Sequence, residues 1–258
     1  MQKIDNIELK KQYGQHFLQD SVILDKIVHS VQLDGNINVL EIGPGGGALT
    51  NEILTFPVAR LWAFEIDAEW VQHIQNTITD TRLTVFEQDF LTVDFTLLKP
   101  YSPWTILANL PYYLTFPILH LFAQHRELLQ EGTIMIQEEV AQKITKKGGR
   151  NFGAVSLFYQ RFFSWSLLDK VPPESFNPPP KVHSRLLHFV PISKVEPIRD
   201  EAKFWLFVKA CFAQPRRTLI NNLKNSCYAK FVLPDDKSAL RAQQLQMNDF
   251  IDMWNANL

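Results

Sequence analysis

The sequence predicts an α/β fold, a parallel sheet with helices on both faces, followed by a small all-helical domain. Three observations point there. Short apolar runs alternate with amphipathic stretches from Val39 to Ile144. Three successive runs end in polar groups at the carboxyl end of the strand, where open α/β sheets bind ligands. Beyond Pro197 the periodicity is helical only, with Phe204, Phe207, Val208, Cys211 and Phe212 in one apolar stripe.

The whole chain sets the bounds. Its 258 residues are 46% hydrophobic and 21% charged, the composition of a globular protein with a full core. That length holds one large domain plus a small one. No apolar run approaches the roughly 18 residues of a membrane span. The stretch Met1 to Lys11 is polar and lacks a signal-peptide core, so a cytoplasmic protein is expected. Cys211 and Cys227 have no CxxC or His-rich spacing. Structural thiols are expected there, and no metal site.

In chain order, residues 1 to 20 read as a polar arm. Asp20 or Ser21 then caps a helix carrying Val22, Ile23, Ile27 and Val31. Val39 to Ile42 is a strand, and Ala48 to Leu54 a helix. Leu61 to Phe64 is a strand, and Glu69 to Ile78 a helix. Leu83 to Phe86 and Trp104 to Ala108 are strands. Thr115 to Gln124 is helical, with Pro117 in its first turn, where proline costs little. Thr133 to Ile136 is a strand, Glu138 to Ile144 a helix, and Gly153 to Tyr159 another. Arg161 to Val171 alternates poorly and reads as a strand or two short pieces. Ser184 to Val190 is the last strand, which with its predecessor adds an antiparallel edge. Pro191 to Pro197 is a linker, so the domains are expected at 1–194 and 195–258.

The loop Gly43-Pro44-Gly45-Gly46-Gly47 follows the first strand. Glycines permit tight turns and close approach of a ligand. The spacing is not GxGxxG, and Pro44 removes an amide donor, so a diphosphate cradle fits poorly. A donor without phosphates, S-adenosylmethionine, suits this Rossmann-like loop better. Glu65 ends the next strand about 20 residues on, where an acid meets ribose hydroxyls. The plainer alternative is that Glu65 or Asp67 caps the following helix. Asp89 ends the third strand, placed to accept an adenine amino group or to serve as a turn residue.

Asn109-Leu110-Pro111-Tyr112 closes the fourth strand. This turn suits methyl transfer to the exocyclic amino group of adenine. That nitrogen is a poor nucleophile, because its lone pair is delocalised into the ring. Acceptors aimed at its N–H hydrogens point the lone pair at the methyl group. The Asn109 side-chain oxygen and the carbonyl of Leu110 or Pro111 are the candidates. Tyr112 offers a face for stacking, worth about 1–3 kcal/mol per base. A flipped base needs a second aromatic on its other face. Phe176, in the proline-rich loop, is the candidate. The sequence shows no Ser/His/Asp or Cys/His arrangement that demands a covalent nucleophile. Catalysis then rests on alignment and electrostatics.

Net charge is −1, yet the bases are unevenly spread. Ala202 to Pro234 contains no acid and carries Lys203, Lys209, Arg216, Arg217, Lys224 and Lys230. A second cluster is Lys143, Lys146, Lys147 and Arg150. Local patches on a near-neutral chain fit a protein that grips phosphates on one face. Lys146, Lys147, Arg150, Arg216, Arg217 and Lys224 are the expected RNA contacts.

Several stretches together resemble the KsgA-type ribosomal RNA adenine dimethyltransferase family, from Tyr13 to about Asn225. They are Gly14-Gln15-His16-Phe17-Leu18, Leu40-Glu41-Ile42-Gly43-Pro44-Gly45, Glu65-Ile66-Asp67 and Gln88-Asp89-Phe90. Asn109-Leu110-Pro111-Tyr112, Gln137-Glu138-Glu139-Val140-Ala141 and Phe176-Asn177-Pro178-Pro179-Pro180-Lys181-Val182 follow. Arg216-Arg217-Thr218-Leu219 and Asn221-Asn222-Leu223 complete the set.

The resemblance implies a class I S-adenosylmethionine-dependent methyltransferase sheet with a C-terminal helical domain that contacts RNA. It implies dimethylation of two adjacent adenosines in a hairpin loop near the 3′ end of 16S rRNA, in the assembling 30S subunit, by a monomer. The cofactor site it implies comprises His16, Leu18, Gly43, Gly45, Glu65, Ile66, Asp89, Phe90 and Asn109. His16 stands where many relatives have Asn, and Phe116 where a small hydroxyl residue is usual. Three alternatives compete: a macrolide-resistance methyltransferase acting on large-subunit RNA, a non-catalytic RNA-binding assembly or transcription factor, and a DNA adenine methyltransferase.

Overall fold

Strand β1 (Asn38–Ile42) is an interior strand of the sheet, third from one edge, and Val39 to Ile42 are all buried. In the computed structural model, which describes residues 3–4, 7–10 and 13–258, seven strands form this sheet. The others are β2 (Arg60–Glu65), β3 (Leu83–Glu87), β4 (Trp104–Asn109), β5 (Leu129–Gln137), β6 (Phe163–Val171) and β7 (Ser184–Pro191). Their order is β3-β2-β1-β4-β5-β7-β6. The first five are parallel, and β7 is antiparallel to both of its neighbours. Part of the expected polar arm (Met1, Gln2, Asp5, Asn6, Lys11 and Gln12) lies outside the described residues.

The order places a topological switch point between β1 and β4. From β1 the chain moves outward to β2 and β3, then returns to β4 on the other side. Right-handed crossovers in opposite directions put helices on opposite faces. Helices α1 (Ser21–Val28) and α2 (Ala48–Leu54) cover one face, with Ile23, Ile27 and Ile53 packed on Val39, Leu61, Leu107 and Leu186. Helix α3 (Ala68–Thr77) links β2 to β3. Helix α4 (Thr115–Gln124) meets the other face, its Phe122 ring 5.6 Å from Phe189 of β7. Gly132 makes room for that ring, since a Cβ there would sit 2.7 Å from Phe189 and 2.8 Å from Ile106. Fully buried side chains of this kind contribute about 1.5–3 kcal/mol each.

Local chemistry explains the element ends. Asp20 caps α1 by accepting from the Val22 and Ile23 amides, and Asp67 caps α3 through Glu69 N–H. The poor alternation of Arg161 to Val171 also has a cause. Arg185 pairs with Lys170 but Leu187 with Leu167, so β6 carries one extra residue. That bulge resets the in–out alternation in the middle of a continuous strand.

The chain divides into two compact units, Met1–Ala141 with Phe163–Pro191, and Gln142–Phe162 with Ile192–Leu258. The chain passes between them three times, and the expected single cut at 194/195 falls close to the last of these crossings, after Pro191, without the excursion of Gln142–Phe162. Helix α6 (Ala154–Phe162) leaves the sheet unit because Phe152 and Leu157 belong to the helical unit's core. That core holds Phe204, Phe207, Val208 and Cys211 of α7 (Glu201–Cys211), with Leu219 and Leu223 of α8 (Leu219–Leu223). Beyond α9 (Asp235–Ser238), α10 (Met247–Asn255) adds Phe250, Met253 and Trp254. Burial pushes the Cys211 thiol up to about 12, which makes it a packing residue. Helix α5 (Glu138–Thr145) spans the first crossing between units.

Candidate active site

A cavity of about 310 Å³ opens at the carboxyl ends of β1, β2, β3 and β4 in the sheet unit. Its lining includes His16, Leu18, Gly43, Gly45, Glu65, Ile66, Asp89, Phe90, Asn109, Leu110, Pro111 and Tyr112. Every residue expected at the cofactor site, and all of the turn from Asn109 to Tyr112, thus converges on one cavity. The switch point explains this: the glycine loop after β1 and the turn after β4 flank the crevice where the sheet's connections diverge.

The loop is shaped by its glycines. Gly43, at φ 69°, has no atom within 4 Å of where a Cβ would stand. Gly45, at φ 53°, lies under the Phe17 ring, and a Cβ there would come within 2.3 Å of it. Its amide donates to Glu65 Oε2 at 3.1 Å, while the Asp67 amide donates to Oε1 at 2.9 Å. Glu65 therefore locks the glycine loop to the end of β2 and still faces the cavity, whereas Asp67 is the residue that caps α3. Burial raises the affinity of Glu65 for a proton, and the two amides partly offset this.

Asp89 uses Oδ1 to accept from the Leu91 amide at 2.9 Å. It is both the turn residue and a cavity residue. At the end of β4, the Asn109 Nδ2 donates to the His16 carbonyl oxygen at 2.9 Å. A carbonyl only accepts, so this bond fixes the amide's orientation and leaves Oδ1 as an acceptor. The Leu110 amide donates to the Met135 carbonyl at 3.1 Å. The Pro111 carbonyl accepts from the Leu114 amide at 2.9 Å. Of the two carbonyls proposed from sequence, Leu110's is the better acceptor for a substrate. The Tyr112 hydroxyl pairs with Ser184 Oγ at 2.7 Å, and its ring lies 6.0 Å from the His16 ring at 25°.

Phe176 is a correction. It is 4% exposed, packs in the core with Leu18, Leu24 and Val171, and does not line the cavity. The short strand Phe176–Asn177 pairs antiparallel with Phe17–Leu18, setting Phe176 opposite Leu18. That pairing turns the ring into the core under the arm, as most aromatics are.

Sequence reasoning did not single out Glu41, Tyr13, Gln15 and Tyr113, which also line the cavity. For Glu41 the signal was present, a charge inside the apolar run Val39 to Ile42. It is 1% exposed, accepts from Thr50 Oγ1 at 2.7 Å, and is pushed up to about 8 by burial, with the nearby Glu65 adding to the rise. Beside Glu41, which burial keeps protonated at neutral pH, the lining residues include the acids Glu65 and Asp89 and, among the described residues, no Lys or Arg. Such a wall disfavours a diphosphate and suits a neutral nucleoside joined to a cationic centre.

The described part of the helical unit places the basic residues on its surface. Lys146, Lys147, Arg150, Arg216, Arg217 and Lys224 are all exposed. The first loop is tethered by Gly149 N–H to the Gln243 carbonyl at 3.2 Å. The second is held by buried Asn222, whose Nδ2 donates to the Cys211 and Gln214 carbonyls and whose Oδ1 accepts from the Gln214 amide. This accounts for an Asn-Asn-Leu stretch downstream of two arginines: the amide shapes the loop that carries them.

The family described as ribosomal RNA adenine dimethylase matches this chain over residues 6–256. The chain belongs to that family. The ribosomal RNA small subunit methyltransferase A of Syntrophotalea carbinolica is 39% identical over 216 residues, 83% of this chain and 81% of its own. That of Chlorobium phaeobacteroides is 37% identical over 98% of this chain and 92% of its own. Among solved structures, a dimethyladenosine transferase from Plasmodium falciparum superposes with a TM-score of 0.79 at 24% identity, covering 92% of this chain and 96% of that one. The 23S rRNA methyltransferase ErmE gives 0.71 at 20%, covering 93% and 99%. These two likenesses carry the fold, a class I methyltransferase sheet. As a ribosomal RNA adenine dimethylase, the protein is a methyltransferase acting on adenine of ribosomal RNA, with S-adenosylmethionine as donor. The open space at Gly43 and the acidic, cation-free wall fit that donor. No helix among the described residues is long and apolar enough to cross a membrane.

Proposed function

We propose that this dimethylase modifies the N6 atoms of two adjacent adenosines in the hairpin loop near the 3′ end of 16S rRNA. It acts as a cytoplasmic monomer on the assembling 30S subunit. The small-subunit names of its relatives support the choice of subunit.

S-adenosylmethionine supplies an activated methyl group on a sulfonium. Glu65 accepts from the ribose hydroxyls, and Asp89 accepts from the donor's adenine amino group through the lone pairs its cap leaves over. Gly43, Gly45 and Ile66 contact the donor from β1 and β2. His16 and Leu18 hold it from the arm, and Phe90 backs the adenine end. Asn109 Oδ1 and the Leu110 carbonyl accept hydrogen bonds from the N–H groups of the target nitrogen, two before the first transfer and one before the second, and direct its lone pair. Tyr112 stacks on the flipped base, held in place by Ser184. Pro111 adds no competing donor. The Lys146, Lys147 and Arg150 loop and the Arg216, Arg217 and Lys224 segment bind RNA phosphates from the helical unit.

The observation that carries this reading is the bond from Asn109 Nδ2 to the His16 carbonyl, which fixes the amide's orientation and leaves its oxygen to accept from a substrate. The test offers labelled donor with unmethylated small and large subunits separately, then maps the modified bases. Label on two neighbouring adenines of the small-subunit RNA is expected. Label confined to large-subunit RNA would overturn the assignment.

A further inference from the structure

The described part of the N-terminal arm is held at two places beside the cavity. At one end, Phe17–Leu18 pairs with Phe176–Asn177. At the other, Lys10 Nζ lies 2.6 Å from Asp67 Oδ1 and 2.9 Å from Glu69 Oε1. Gln15 reinforces this end: its Nε2 donates to Asp67 Oδ2 at 3.3 Å, and its Oε1 accepts from the Lys10 amide at 2.9 Å. Between the anchors, Tyr13, Gly14, Gln15 and His16 line the cavity. Gly14, at φ 58°, lies against the Tyr113 ring on the opposite wall.

The receiving carboxylate is well placed to matter. Asp67 is fully buried as a side chain, while Lys10 is one-third exposed. Its own amide donates to Glu65 Oε1, the acid that locks the glycine loop. A cation that neutralises Asp67 therefore steadies the end of β2 and ties the arm down over the cavity at once. A charge-assisted bond to a buried carboxylate is stronger than an exposed ion pair, and removing one partner leaves the other uncompensated.

We infer that Lys10 and Asp67 form a latch that holds the arm closed over the methyl donor, which makes Lys10 a positioning residue for donor retention. This rests on the reading that the cavity holds the donor. The arm must open to admit the donor and to release the demethylated product, and the latch sets how readily it does so. The side chain of Lys10 lines no part of the cavity, so its effect runs through the arm.

Calorimetric titration with S-adenosylhomocysteine, the stable product, tests this on the full chain, alongside amide hydrogen exchange across Gln15 to Gln19. Lys10→Met is expected to bind about fivefold more weakly and to exchange faster across the arm, and Lys10→Arg to restore both. Glu65→Ala reports on the cavity reading. If Glu65→Ala weakens binding while Lys10→Met binds and exchanges like the parent, the latch is wrong and the donor site stands. Faster exchange in Lys10→Met without weaker binding also overturns it, as does an equal loss in Lys10→Arg. If Glu65→Ala binds normally, the donor site lies elsewhere, and the latch falls with it.

Discussion

The Asn109 side-chain amide donates to the His16 carbonyl oxygen at 2.9 Å, joining the end of β4 to the N-terminal arm. The bond orients the amide, so the turn after β4 and the arm are built as one unit. Asn109→Ala removes both the orienting donor and the acceptor. Methyl transfer is expected to fall by at least about two orders of magnitude, while binding of the ribosomal RNA survives. Single-turnover transfer with labelled donor, beside a filter-binding measurement, checks this. Undiminished transfer would remove Asn109 from the mechanism.

Glu41 makes folding pH-dependent in a stated direction. Burial lifts its carboxyl from the ordinary 4.5 to about 8. Between those values the folded chain holds a proton that the unfolded chain has shed. Stability therefore falls as pH rises through this window and changes no further from this group above it. Glu41→Gln keeps a neutral side chain throughout. The stability of the parent is expected to fall relative to Glu41→Gln from pH 5 to pH 8, by on the order of a few kcal/mol. Melting curves of both proteins across that range check this, and parallel profiles would contradict it.

Phe176 is expected to behave as a core residue. Phe176→Ala removes a ring packed on Leu18, Leu24 and Val171, and such changes cost about 3–5 kcal/mol. Denaturant unfolding of the full chain measures it. A variant as stable as the parent but defective in transfer would return Phe176 to the stacking role read from sequence.

Gly45 is expected to tolerate no side chain. Gly45→Ala adds a Cβ within 2.3 Å of the Phe17 ring at φ 53°, and a positive φ alone costs roughly 1–2 kcal/mol. Moving Phe17 disturbs the arm and the Glu65 contact together. Lower stability and weaker S-adenosylhomocysteine binding are expected in the same variant. Gly43→Ala, where nothing lies within 4 Å, bears the φ strain without the clash and should be the milder of the two in melting experiments.

Arg216 and Arg217 of the helical unit are expected to act through charge. Reversing Arg216 and Arg217 to Glu should reduce the salt dependence of RNA binding by about two counterions' worth of slope. Affinity measured at several salt concentrations checks this, and an unchanged slope would make them a solvated face.

The sequence by itself determined the order of strands and helices, the glycine loop, and the acids and amide that end β2, β3 and β4. These are local properties, set by apolar periodicity, turn chemistry and the requirement that a ligand meet the carboxyl edge of the sheet. Even the poor alternation in β6 was visible, although its cause, one extra residue facing β7, needed the pairing partner. Only the tertiary structure decided where Phe176 points, because that depends on its pairing with Leu18, some 160 residues earlier. It alone assigned Gln142–Phe162 to the helical unit, since a linear cut cannot follow a chain that leaves a core and returns to it. It alone also brought Lys10 to Asp67 and oriented the Asn109 amide through His16. Contacts between residues far apart in sequence leave no periodic trace, so they become legible only once the sheet has placed their backbones side by side.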